Sequence, residues 1–265
     1  MKKSTLILFS LITTTAFAYL NWGNSAPVKQ EKSSCAPVCF DTHYFKKLIP
    51  KPKKELFYDF GPRFIMTITK DELNKVLSFH DIISEKEMGS VSYSSVSITL
   101  LDDHYNTIIK ETGRGAVFTP AQLALLQSLD YSSDLVIRAD FQIKSWVTNE
   151  FQSDYTTPHF TVVPEKEAVY IDGKERLLSY VTNNTKEFLS IVDQDKVQSG
   201  KVRFTITQDG KISDVSLESS SGYPTYDLKI IELVTNMPGI WVPATNSKGE
   251  KVEQRFVLSF GNMGC

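Results

Sequence analysis

The chain has 265 residues, 41% hydrophobic and 23% charged, and a formal net charge of −2. That composition fits a folded protein with room for about two ordinary domains. A charge so close to zero gives no broad attraction for nucleic acid or an anionic membrane surface, so no nucleic-acid partner is expected.

At the N-terminus, Lys2 and Lys3 precede the uncharged stretch "STLILFSLITTTAFAYLNW", and Ala16-Phe17-Ala18 fits a small-x-small cleavage site. A helix over residues 4–22 reaches roughly 28 Å, only just the thickness of a bilayer core. Residues 1–22 therefore read as a signal peptide or a membrane anchor, and under both readings the rest of the chain leaves the cytoplasm. Residues 23–55 read as a linker, polar and broken by Pro27, Pro37, Pro50 and Pro52, with a basic "KKLIPKPKKE" end. Cys35 and Cys39 in "SCAPVC" are a candidate disulfide pair for an oxidising compartment; free thiols and a metal site are the alternatives. Cys265 is left over at the terminus and reads as an exposed thiol.

Residues 56–168 read as a β-rich, sandwich-like domain with two short helices. "RFIMTIT", "VSYSSVSITLLD" and "SDLVIRADFQIKSW" alternate as strands do. Thr69 with Glu72 forms a capping box before "ELNKVLSF", and Thr119 with Gln122 forms another before "AQLALLQSL", with Pro120 at the first helical position.

Residues 175–265 read as a small antiparallel sheet with one covering helix, which makes the whole chain α+β. Before the sheet, residues 176–192 carry apolar residues at helical spacing, though Asn183-Asn184 is a candidate break. In "GKVRFTITQDGKISDVSLESSSG", Val202, Phe204 and Ile206 share one face, Asp209-Gly210 supplies the turn, and Val215 and Leu217 are expected to continue the buried face. Thr225 is the expected N-cap of a helix over 225–237, with Asp227 in its first turn. In 250–260, Val252, Phe256, Leu258 and Phe260 point inward and Lys251, Glu253, Arg255 and Ser259 outward.

The series Gly200-Lys201-Val202, Asp209-Gly210, Ser220-Ser221-Gly222, Asp227, Trp241, Pro243-Ala244, Gly249, Lys251 and Val252 resembles the C-terminal domain of TonB-type energy transducers, over residues 175–262. The resemblance implies a periplasmic domain, in a soluble protein after signal cleavage or one anchored in the inner membrane. It implies a last strand at a sheet edge that receives a TonB box-like peptide from an outer-membrane transporter or receptor. The physical basis is strand addition, in which unpaired N–H and C=O groups along an edge pair with an incoming chain. Gln254, Arg255, Phe256, Val257, Leu258 and Ser259 are the expected receiving edge. An inner-membrane motor complex is a further partner of such transducers, which carry a histidine on their membrane helix. Residues 4–22 have no histidine, and the linker has no long Pro-Lys or Pro-Glu repeat. The rival reading is a structural or assembly module of the cell envelope with the same fold and no energy coupling.

The sequence offers no sign of an enzyme. No Gly-x-Ser-x-Gly elbow, His-Glu-x-x-His helix or phosphate-cradling Gly-rich loop is present, and no cofactor or metal is expected. Asp102, Asp103 and His104 read as a polar hairpin tip, His80 as a boundary residue, and the serines of "SSSG" as a turn. Trp241 reads as a packing aromatic. A cleaved signal predicts a mature chain beginning at Tyr19 in the soluble fraction, whereas an anchor predicts Met1 retained in the inner membrane; intact mass with fractionation separates the two.

Overall fold

A computed structural model describes residues 56–83, 91–145 and 148–262. The N-terminal segment 1–22, the linker 23–55, Cys35, Cys39 and Cys265 lie outside the described residues. Pro52–Cys265 is one compact unit. It begins with β1 (Phe57–Gly61), β2 (Met66–Thr69), α1 (Lys70–Leu73), β3 (Val91–Leu101) and β4 (Thr107–Arg114). Next come α2 (Pro120–Ser128), β5 (Asp134–Lys144), β6 (Phe151–Thr156), β7 (His159–Val163), β8 (Val169–Tyr170) and α3 (Lys174–Ile191). The last part runs through β9 (Gly200–Ile206), β10 (Ile212–Ser219), α4 (Pro224–Thr235), β11 (Trp241–Val242), β12 (Ala244–Thr245), β13 (Lys251–Val252) and β14 (Gln254–Gly261).

The class is α+β, with two main sheets. The first has six strands in the order β2-β7-β5-β3-β4, with β6 also on β5, and is antiparallel except for β2 beside β7. This is the expected β-rich region, and its strands belong to one six-stranded sheet. Val96, Ile98, Leu135, Ile137 and Val162 are fully or almost fully buried against Leu73, Phe79, Leu125 and Leu126. Both capping boxes form: Thr69 with Glu72, and Thr119 with Gln122. The box at Thr119 is also a long-range tie, because the buried Gln122 donates through Nε2 to the Val96 carbonyl at 2.9 Å.

The second sheet has four antiparallel strands in the order β1-β14-β9-β10. Phe204, Ile206, Leu258 and Phe260 bury one face against α3 and α4, where Val181, Tyr226, Ile230 and Val234 close the core. The helix over 174–191 is continuous through Asn183-Asn184. Two glycines explain part of the sequence pattern. A Cβ at Gly200 would lie 2.5 Å from the Phe260 ring, and Gly210 has φ +74° with the Trp241 carbonyl 2.3 Å from where its Cβ would stand. Asp227, 3% exposed, accepts from Ser221 N at 2.9 Å, Ser221 Oγ at 2.6 Å and Ser220 Oγ at 2.5 Å, so the serine turn is pinned to the helix start.

Local expectations fail in two places. The N-cap of α4 is Tyr223, not Thr225, because Pro224 opens the helix where its missing N–H costs nothing. Leu217 is 40% exposed, because register shifts around Ser213–Ser216 and Leu217–Ser219 interrupt the alternation of β10.

The larger difference is β1. Residues 57–61, expected with the first region, complete the second sheet in register from Phe57 opposite Gly261 to Gly61 opposite Val257. Phe60 is 5% exposed and packs edge-on to Phe204 with ring centroids 6.1 Å apart. The Tyr58 hydroxyl is 2.6 Å from that of Tyr226 and 2.8 Å from Thr185 Oγ1, which joins β1 to both covering helices. Burial pushes both phenols up, so each remains a neutral hydroxyl at physiological pH. Tyr58→Phe leaves the Tyr226 hydroxyl without that partner, and a loss of about 1–3 kcal/mol is expected from urea midpoints at constant slope.

Candidate partner-binding site

The six residues expected at a receiving edge form most of β14, and β14 is an internal strand. On one side it pairs with β9 from Gln254 opposite Ile206 to Phe260 opposite Gly200; on the other, Val257 through Gly261 pair with β1. The edges of this sheet are β1 and β10. The expectation of a free last strand is therefore corrected for this state of the molecule. The cause is topological: an extended segment far upstream in the chain supplies the fourth strand.

The short stretch of β14 beyond the reach of β1 is also occupied. Gln254, 1% exposed, accepts from Ala168 N at 2.7 Å and donates to Glu167 Oε2 at 2.7 Å. The Arg255 backbone N–H donates to Ser132 Oγ at 3.0 Å. Phe256 stacks on Phe204 with centroids 5.8 Å apart and lies 5.4 Å from the Trp241 ring. Val257 and Leu258 are buried, and Ser259 sits between Asp59 and Lys201 in register. The β10 edge is a poor template for a partner, since its two register shifts interrupt the regular ladder that strand addition needs.

A second group, not foreseen from the sequence, fixes β1 from its far end. Pro62 cannot donate to a ladder, so the strand stops. Arg63 then turns into the space between the two sheets with its side chain 3% exposed. Its Nε donates to Glu218 Oε1 at 2.9 Å, Nη1 to Asp134 Oδ2 at 3.1 Å and to the Asp102 carbonyl at 2.9 Å, and Nη2 to the Asp103 carbonyl. Thr161 Oγ1 satisfies the other Asp134 oxygen at 2.7 Å. Asp102 and Asp103 form the expected hairpin tip between β3 and β4, and this tip is docked on the second sheet. Asp103 pairs with Arg203 of β9 and, at 2.8 Å, with Arg255 of β14. Three arginines thus meet Asp103, Asp134 and Glu218. Among the described residues, no cluster of His, Cys, Asp and Glu has the arrangement of a metal site.

The carboxylates of Asp134, buried, and Asp103, partly exposed, respond in opposite directions. Burial pushes Asp134 up, against the hydrogen bonds from Thr161 and Arg63. Burial also pushes Asp103 up, but the Arg203 hydrogen bond and the charges of Arg255, Arg203 and Arg63 outweigh it and hold the carboxyl below its ordinary value.

With this geometry described, comparison with known proteins places the second sheet. The family model for the TonB C terminal matches residues 175–260. These residues are a TonB C-terminal domain. No curated protein and no solved structure matches the chain. The matched segment runs from α3 to β14, so β1 and all of the six-stranded sheet lie outside it. The TonB C-terminal domain is thus completed by a strand from outside its family boundaries. No helix among the described residues is long and apolar enough to cross a membrane.

Because Asp103 is depressed in the fold, its stabilisation is present above its unfolded value of 3.8 and disappears as pH falls through the lower folded value. Asp103→Asn is expected to be less stable than the parent at pH 7, with the gap closing below about pH 4. Chemical denaturation of both proteins across that window checks this; a gap that stays constant would mean that Asp103 acts by shape and not by charge.

Proposed function

We propose that this is an exported, periplasm-facing TonB-like protein that binds an extended segment of an outer-membrane transporter or receptor by strand addition and takes part in transport across the envelope. The observation that carries this reading is β1 itself. A five-residue segment foreign to the TonB C-terminal domain pairs along β14, so the surface beside β14 accepts an added strand and accommodates an aromatic side chain such as Phe60. In the resting protein the chain's own segment fills the place that a partner segment takes.

Exchange is energetically reasonable because the incoming strand remakes what the outgoing one loses. Burying a Phe side chain is worth roughly 1.5–3 kcal/mol, and a backbone hydrogen bond about 0.5–1.5 kcal/mol net. A partner with a similar apolar residue and the same backbone register recovers most of both, leaving a reversible contact. Arg63 supplies the hinge: β1 lies on its N-terminal side, so residues 57–61 can peel away while the guanidinium keeps the two sheets clamped.

A second reading has its own support. The Tyr58 hydroxyl contacts and the burial of Phe60 make β1 resemble a permanent strand, and the protein is then a structural or assembly module of the envelope. The two readings separate when β1 is locked. Asp59 and Ser259 are directly opposed in antiparallel register. The Cα separations of such pairs, about 4.5–5.5 Å, fall within disulfide range. With Cys35, Cys39 and Cys265 replaced by Ser, the Asp59→Cys, Ser259→Cys protein is titrated with a peptide from the periplasm-facing end of an outer-membrane transporter. The expected result is binding when reduced and at least a tenfold loss when oxidised. Equal binding in both states places the partner elsewhere, and failure to bind in either state, or in the parent, overturns strand addition in favour of the structural module.

A further inference from the structure

Alternation along β1 sends Tyr58 and Phe60 to the face covered by α3 and α4, and Phe57, Asp59 and Gly61 to the other. The slot that holds this strand is not uniformly apolar. Two polar side chains stand in it, Tyr226 and Thr185, each 0% exposed. Thr185 Oγ1 lies 2.9 Å from the Val181 carbonyl one turn back and donates its hydrogen there, so toward β1 it can only accept. Tyr58 therefore donates to Thr185 Oγ1 at 2.8 Å and accepts from the Tyr226 hydroxyl at 2.6 Å. A residue in this place must donate and accept at once, and must reach both helices from a strand backbone. A phenol does both.

Two residues on, the slot takes an aromatic ring. Phe60 is 5% exposed and meets the Phe204 ring at an interplanar angle of 80°, an arrangement that gains beyond the area it buries. The remaining positions select little. Asp59 pairs with Lys174 at 2.5 Å, but both side chains are about half exposed, and exposed pairs contribute little. A Cβ at Gly61 would meet nothing within 4 Å, and Phe57 is 37% exposed.

A strand arriving from another molecule competes with one that is already tethered, at an effective concentration on the order of millimolar. An arrival that leaves Tyr226 and Thr185 unmatched, or a void beside Phe204, loses that competition to β1. Resting on the strand-exchange reading, we propose that the slot selects partner segments with the pattern Tyr-x-Phe. The tyrosine takes the place of Tyr58 and the phenylalanine that of Phe60, with an acidic residue between them as a minor aid toward Lys174. The backbone ladder is open to any extended sequence, so these two side chains decide which transporter or receptor segment is captured.

The probe is a fluorescently labelled peptide with the sequence of residues 56–62, LFYDFGP. Anisotropy follows its binding to the full chain with Cys35, Cys39 and Cys265 replaced by Ser, and to the same chain carrying Phe60→Ala, which loosens β1 and leaves the slot. The amide spectrum establishes that this variant folds; if it does not, Phe60→Leu serves in its place. Loosening β1 is expected to tighten peptide binding by about tenfold or more. On the loosened chain, replacing the peptide's tyrosine by phenylalanine, or its second phenylalanine by alanine, is expected to cost about tenfold or more each. Replacing its aspartate by asparagine costs about two- to threefold. The oxidised Asp59→Cys, Ser259→Cys chain takes up none of these peptides. Equal affinity for the parent peptide and for its tyrosine- or phenylalanine-replaced form overturns the pattern and leaves strand exchange standing. No binding of any peptide, or binding unchanged by loosening or by locking β1, removes strand exchange from this slot and the pattern with it.

Discussion

The structure turns on one buried guanidinium. Arg63 has five N–H donors in a rigid plane, and this site gives it four hydrogen bonds, to two carboxylates and two backbone carbonyls drawn from three parts of the chain. Glu218 belongs to the second sheet, Asp134 to the first, and the carbonyls to the β3–β4 tip, so a single side chain ties all three together. Removing one member of such a network leaves an uncompensated buried charge, which typically costs 3–5 kcal/mol. The charge balance of the junction, three arginines against three carboxylates, follows from the same constraint.

Arg63 also decides where β1 ends. Pro62 stops the ladder and the guanidinium sets the exit direction, so the segment before them is held alongside β14. From that placement follow the internal position of β14, the insertion of Phe60 beside Phe204, and the contact of Tyr58 with both covering helices. The TonB C-terminal domain meets its surroundings here as a sheet already supplied with a fourth strand. Any partner that uses the same surface competes with a segment of the same chain.

Features governed by neighbours three or four residues away were legible in the sequence. The Thr69–Glu72 and Thr119–Gln122 capping boxes, the Gly210 turn and the inward set Phe256, Leu258 and Phe260 all stand as read. The serine turn is legible as a turn, although the sequence marks Asp227, the buried carboxylate that organises it, only as a helix-dipole residue. Leu217 was misread because a bulge depends on the partner strand, and alternation within β10 carries no record of it. Thr225 was misread because Pro224 suits the first helical position better than Thr225 suits the cap. The segment "FYDFG" did carry a strand signal, with Tyr58 and Phe60 on one face and a proline immediately after, but nothing local indicated which sheet it would join.

The sequence by itself determined the α+β class, the TonB C-terminal domain over its last third, and the identity and facing of β14, since periodicity and turn chemistry are written in adjacent residues. The tertiary structure alone decided whether β14 has a free side. An edge is not a property of a strand but of what lies next to it, and the neighbour here comes from the opposite end of the described chain. The same is true of Arg63, Asp134, Glu218 and Asp103: each is an ordinary charged residue in sequence, and only folding brings them close enough for their charges to cancel.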